Sequence, residues 1–204
     1  MLIRFALLAC VGLLAACGAN GPGNSGPASL SAEQGTIIHN ASGFQFPNSA
    51  GGFQRMSASN PARTDIGVGY VLVLPAGGIV GIVHIDRAPA LLATGQARRD
   101  IGDFTFDTLR SNIVLQHKDA RYVGIRPVSI VQQGRIRSGQ EAIYEYTDTL
   151  GGKLQPVRTE LYVFAPATPG FDMDYRFTYP AGMDVGQSIR NFMAVLPWTF
   201  RGLP

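Results

Sequence analysis

The stretch Gly67-Val68-Gly69-Tyr70-Val71-Leu72-Val73-Leu74, then Pro75-Ala76-Gly77, then Gly78-Ile79-Val80-Gly81-Ile82-Val83-His84-Ile85 carries the strongest strand signal in the chain. Two runs rich in Val and Ile flank a Pro/Gly turn, the pattern of antiparallel neighbours. Apolar residues fall on both faces of each run, which predicts a central place in a sheet with at least one side covered by helices. In the second run Ile79, Gly81, Val83 and Ile85 share one face, and Val80, Ile82, His84 and Asp86 share the other.

Downstream the period changes. Ile101, Phe104 and Thr108, and Phe106, Leu109, Ile113 and His117, recur at helical spacing, predicting a helix over Thr94 to Leu115. A meander follows: Tyr122–Val131, Ile136–Thr147, Pro156–Phe164 and Asp172–Tyr179, separated by Gly- and Pro-rich turns. Pro127 lacks an amide proton, so the first of these strands belongs at an edge or a bulge. In the last, Phe171, Met173, Tyr175, Phe177 and Tyr179 alternate with Asp172, Asp174, Arg176 and Thr178, predicting one core face and one wet face. Asp184 is placed to cap a terminal amphipathic helix ended by Pro197, and Trp198 with Phe200 is expected to close the core.

Upstream, Thr36–Ile38, Gly43–Pro47 and Gly51–Met56 read as short strands, and Asn60–Asp65 as a loop. The expected class is α+β, an antiparallel sheet flanked by helices, in one domain over residues 35–204. Residues 17–34 are rich in Gly, Pro, Asn and Ser and read as a flexible tether.

The first residues have a different character. Arg4 and the amino terminus precede an uncharged apolar run, Phe5–Ala16, which has the make-up of a secretory signal and is short for a bilayer-spanning helix. Leu14-Ala15-Ala16-Cys17 resembles the lipobox of bacterial lipoproteins. That resemblance implies cleavage after residue 16, acylation of Cys17, and an outer-membrane location facing the periplasm, since Gly18 rather than Asp follows. Cys10 would depart with the signal, so neither cysteine could form an intramolecular disulfide in the mature chain.

Seventeen Lys plus Arg against fourteen Asp plus Glu is too small an excess for a nucleic-acid partner. The chain shows no nucleophile elbow, P-loop, dinucleotide or zincin pattern, and no cofactor or metal is expected. His84 and Asp86, about 7 Å apart on one strand face, are the only pair suggesting hydrolysis, with His39, His117, Glu141 or Glu145 as conceivable third members. Arg121, Arg126, Arg135 and Arg137 gather on one hairpin as a candidate anion- or lipid-headgroup site.

Phe44-Gln45-Phe46-Pro47 followed by Gly51-Gly52-Phe53-Gln54-Arg55, together with the element order, resembles the PsbP-like family, which includes lipoproteins of the DcrB kind. The resemblance implies an α/β/α sandwich and an accessory role without catalysis. The expected function is therefore a lipid-anchored envelope protein that binds a protein or small ligand. The alternatives are an Arg-lined anion or lipid module and, third, a His84/Asp86 hydrolase.

Overall fold

The computed structural model describes residues 30–33, 35–59, 66–75, 77–87, 98–132, 134–164 and 171–196. In chain order these form β1 (Leu30–Glu33), β2 (Thr36–His39), β3 (Gln45–Phe46), β4 (Ser49–Ala50), β5 (Phe53–Ser59), β6 (Ile66–Leu74) and β7 (Gly77–Arg87). Then come α1 (Arg98–Gln116), β8 (Arg121–Gln132), β9 (Arg135–Leu150), β10 (Lys153–Phe164), β11 (Phe171–Pro180) and α2 (Gly186–Val195). Strand β1 begins within the stretch assigned to the tether. Cys17, the signal segment, Pro197, Trp198 and Phe200 lie outside the described residues.

Eight strands make one antiparallel sheet in the order β4-β5-β6-β7-β11-β10-β9-β8, and β1-β2-β3 make a second, small one. The pair β6 and β7 is central, as its two apolar faces require. Strand β8, which contains Pro127, is one of the two terminal strands, and its pairing with β9 is shifted between Tyr122 and Gly124. A proline and a bulge both blunt an exposed edge.

The expected α+β sandwich is overturned: the described residues are β-rich, an eight-stranded antiparallel sheet and a small second sheet with only two short helices among them. The strands outrun their apolar segments. Strand β9 extends to 16 residues through polar positions at both ends, because register with β8 and β10 satisfies its backbone whatever the side chains. Helix α1 lies against β10 and α2 against β8, so each covers only part of one sheet face. The capping expectation also fails. Helix α2 starts after Val185, with no side-chain cap, leaving Asp184 exposed one residue before it.

The main core occupies the face that carries Met173, Tyr175, Phe177 and Tyr179 of β11, all buried as the alternation predicts. Val68, Tyr70, Val83 and Ile85 extend it across β6 and β7; Phe44 and Phe46 cover it from the small sheet, and Ile189, Phe192 and Met193 from α2. Phe192 sits at the centre, its ring centroid 4.7 Å from Phe53, 4.9 Å from Tyr70, 5.6 Å from Phe177 and 6.4 Å from Tyr175. Such edge-on contacts add to the burial of large rings. Arg55 fastens the small sheet to the large one, donating to the carbonyls of Phe46 and Gly35 and to Asn48 Oδ1. Gln132 Nε2 donates to the carbonyls of Met193 and Leu196, at 2.9 and 3.0 Å, satisfying the open end of α2.

A smaller core lies on the opposite face, where Phe106 and Ile113 of α1 meet Ala142, Tyr144, Tyr146, Val157, Leu161 and Val163. Gly139 permits close approach of β9 to β10: a Cβ there would lie 2.2 Å from the Val163 carbonyl oxygen and 3.0 Å from Phe164 Cα. Backbone cannot yield as a side-chain tip can. Gly139→Ala is expected to lower stability by about 1–3 kcal/mol, read as a fall in the urea midpoint. An unchanged midpoint would contradict the packing.

Candidate functional site: a cleft beneath helix α1

Strand β7 places Val80, Ile82 and His84 on the α1 side of the sheet, and β11 places Asp174, Arg176 and Thr178 there beside them. Register sets His84 directly opposite Asp174, and His84 Nδ1 lies 3.1 Å from Asp174 Oδ2. Asp174 is only 3% exposed at its side chain and His84 20%. A carboxylate so buried needs a donor, and the imidazole supplies it. In the neutral ring that bond sets the proton on Nδ1 and the lone pair on Nε2.

Leu109, Asn112, Ile113 and Gln116 of α1 roof these groups, and Leu161 and Arg176 complete a cleft of about 190 Å³. Bulk water would fill that volume with roughly six molecules. Two carboxamides, a guanidinium and the His84–Asp174 pair thus line the cleft together with Leu109, Ile113 and Leu161, the make-up of a small-ligand site. Arg176 is half-buried and makes no ion pair with any described residue.

The expected partnership of His84 with Asp86 takes another form. The carboxylate meeting His84 is Asp174, from the neighbouring strand; Asp86 pairs through its backbone with Asp172, and the side chains of both lie outside the described residues. Asp174 is also not the solvent-facing residue that the alternation of β11 implies, since α1 covers this part of the second face. None of the conceivable third members lines the cleft. His39 is buried against Ser42 Oγ at 2.6 Å and edge-on to Phe171. His117 stacks on Tyr146 with ring centroids 3.8 Å apart, while Glu141 and Glu145 bond to arginines on the other face. Among the described residues no group of three or more His, Cys, Asp or Glu could hold a metal ion.

The hairpin arginines all fall on the face opposite α1, and the register separates them. Arg121 stands across from Glu145 and pairs with it; Arg126 stands across from Glu141 and pairs with it. Arg158 donates to Glu145 as well, at 2.6 and 3.1 Å. The bonds from Arg158 and then Arg121 hold the Glu145 carboxyl below the usual glutamate range. Glu141 is fully buried, so Arg126 serves it as counterion. Arg135 is exposed at the hairpin tip and Arg137 is half-buried.

One polar cluster has no counterpart in the sequence reading. Tyr162 and Tyr179 donate their hydroxyls to the two oxygens of buried Glu160, at 2.6 and 2.5 Å. Burial, with Glu160 adding to it, pushes both phenols well above the ordinary tyrosine value. Glu160 and Tyr162 lie on one face of β10, and that spacing is the only sequence signal for the cluster; Tyr179 arrives through register with β11.

No protein-family model and no curated protein matches this chain.

Proposed function

We propose that the protein is a lipid-anchored envelope protein that binds a small ligand bearing a carboxylate or phosphate in the cleft beneath α1, without catalysing its conversion. The observation that supports the binding reading most is Arg176, a cation lining the cleft that makes no ion pair with any described residue, while the Asp174 carboxylate beside it is engaged by His84. A guanidinium in that position favours a bidentate anion, and Asn112 and Gln116 supply further hydrogen-bonding groups. Binding is favoured over hydrolysis because no described lining residue offers a hydroxyl or thiol beside His84. A general base in nucleophilic catalysis acts on an adjacent hydroxyl or thiol, and none of these side chains is one. The anchor rests on Leu14-Ala15-Ala16-Cys17 and its resemblance to the lipobox. Two or more acyl chains hold a protein stably where one does not.

The hairpin reading is the weaker one, since Glu145 and Glu141 already occupy Arg121 and Arg126. The two parts of the proposal are tested separately. Cys17→Ala is expected to move the protein from the detergent phase to the aqueous phase, and unchanged partitioning overturns the anchor. For the cleft, citrate and inorganic phosphate are titrated into the full-length Cys17→Ala chain while the His84 imidazole resonances are followed by NMR. Saturable shifts that disappear in Arg176→Ala are expected. Shifts that persist in that variant, or no shifts with either anion, overturn the cleft as an anion site.

A further inference from the structure

We infer that the tip of the β8–β9 hairpin docks on the surface of an anionic bilayer, the membrane to which Cys17 would be attached. The inference rests on the lipid-anchor reading above and goes beyond it, because it assigns a membrane-facing side to the folded domain.

At the tip, Val131 and Ile136 are direct cross-strand partners and are 63% and 74% exposed. A β-branched pair of this kind stabilises a hairpin, yet no described element covers it. On the reverse side of the same two strands, Ile130 and Gln132 are buried, Gln132 by its bonds to the end of α2. The hairpin is thus held firmly from one face while its other face presents two large apolar side chains. Exposed Arg135, opposite Gln132 on the reverse face, stands at the turn itself and supplies a cation at the tip where an anionic headgroup would lie.

The position of the tip points to the bilayer as its occupant. Leu30 pairs with His39, whose ring meets Phe171 at 5.5 Å, so the described chain begins near the start of β11. Val163 pairs with Asp174 on one side and with Gln140 on the other. Asp174 and Gln140 are therefore level, and β11 and β9 run in the same direction, so Phe171, three residues earlier on β11, is level with about Arg137, three residues earlier on β9 and close to the hairpin tip. Lateral separation across the intervening strands is roughly 10–15 Å at the usual strand spacing. The start of β1 and the apolar tip are therefore on the same end of the sheet. Leu30 lies 13 positions after Cys17, a span of at most about 45 Å when fully extended. A lipid on Cys17 would hold this end of the domain, rather than the opposite end with the Leu150–Lys153 turn, within reach of the headgroups.

The test uses the lipidated full-length protein with Ile136→Cys, labelled with an environment-sensitive fluorophore and reconstituted into phosphatidylethanolamine–phosphatidylglycerol vesicles. Leu154→Cys, comparably exposed at the other end of the sheet, is the control. Mass spectrometry first establishes the lipid on Cys17. The expected result is a blue shift and strong quenching by spin-labelled lipid at position 136, little change at 154, and loss of the effect in Val131→Asp. If Cys17 carries lipid and position 136 stays unquenched, the docking inference fails while the anchor stands. If Cys17 carries no lipid, both fail. A shift at 136 that grows with protein concentration in detergent without vesicles would identify a second copy as the occupant and overturn the inference.

Discussion

Raising the pH above about 10 is expected to unfold this protein cooperatively rather than to titrate its tyrosines one by one. Tyr70, Tyr162, Tyr175 and Tyr179 are buried, and burial raises the pKa of each phenol. Unfolded tyrosine ionises near pH 10. Below that value both states hold the proton, and the full stability is present. Above it the unfolded chain releases protons that the native state retains, so stability falls as pH rises toward the folded pKa values. Each such phenol removes about 1.4 kcal/mol per pH unit, and four together about 5–6 kcal/mol per unit. Against a typical stability of about 5–15 kcal/mol, one to three units suffice. Tyrosinate absorbance and far-UV circular dichroism should change together in one steep transition. Tyrosinate forming near pH 10 with the dichroism intact would show that these phenols are accessible and overturn the core assignment.

Phe192→Ala is expected to cost about 3–5 kcal/mol, the range for truncating a fully buried aromatic. Phe192 is the one residue of α2 whose ring meets those of β5, β6 and β11 together. Its removal leaves a cavity bounded by Phe53, Tyr70, Tyr175 and Phe177. Gly51 prevents easy collapse, because the turn and the helix already touch: a Cβ at Gly51 would sit 2.6 Å from the Phe192 backbone. Phe192→Leu should recover a substantial part of the loss. Chemical denaturation of the two variants gives the comparison, and a loss below about 1 kcal/mol for the alanine would mean that α2 is not the lid of this core.

The candidate cleft was half legible in the residues. His84 was identifiable as a lone imidazole on a strand, and the triplet of Asp172, Asp174 and Arg176 as charges on one face. Their meeting depends on β7 lying beside β11, strands about ninety positions apart in sequence whose neighbourship no local pattern encodes. The hairpin arginines illustrate the converse. They cluster in sequence, but register sends Arg121 to Glu145 and Arg126 to Glu141, leaving Arg135 at a tip some distance away.

By itself the sequence determined the kind and order of the main elements, the central place of the strands between Gly67 and Ile85, the edge place of the strand with Pro127, and the buried face of the last strand. These follow from side-chain periodicity and from the missing proline amide, both properties of a few consecutive residues. Only the tertiary structure decided that the chain is β-rich rather than a helix-flanked sandwich, that Asp174 rather than Asp86 holds His84, and that Glu160 gathers two tyrosine hydroxyls. Those outcomes depend on strand order, register and helix placement, which are set by burying the whole apolar surface at once and pairing every backbone group.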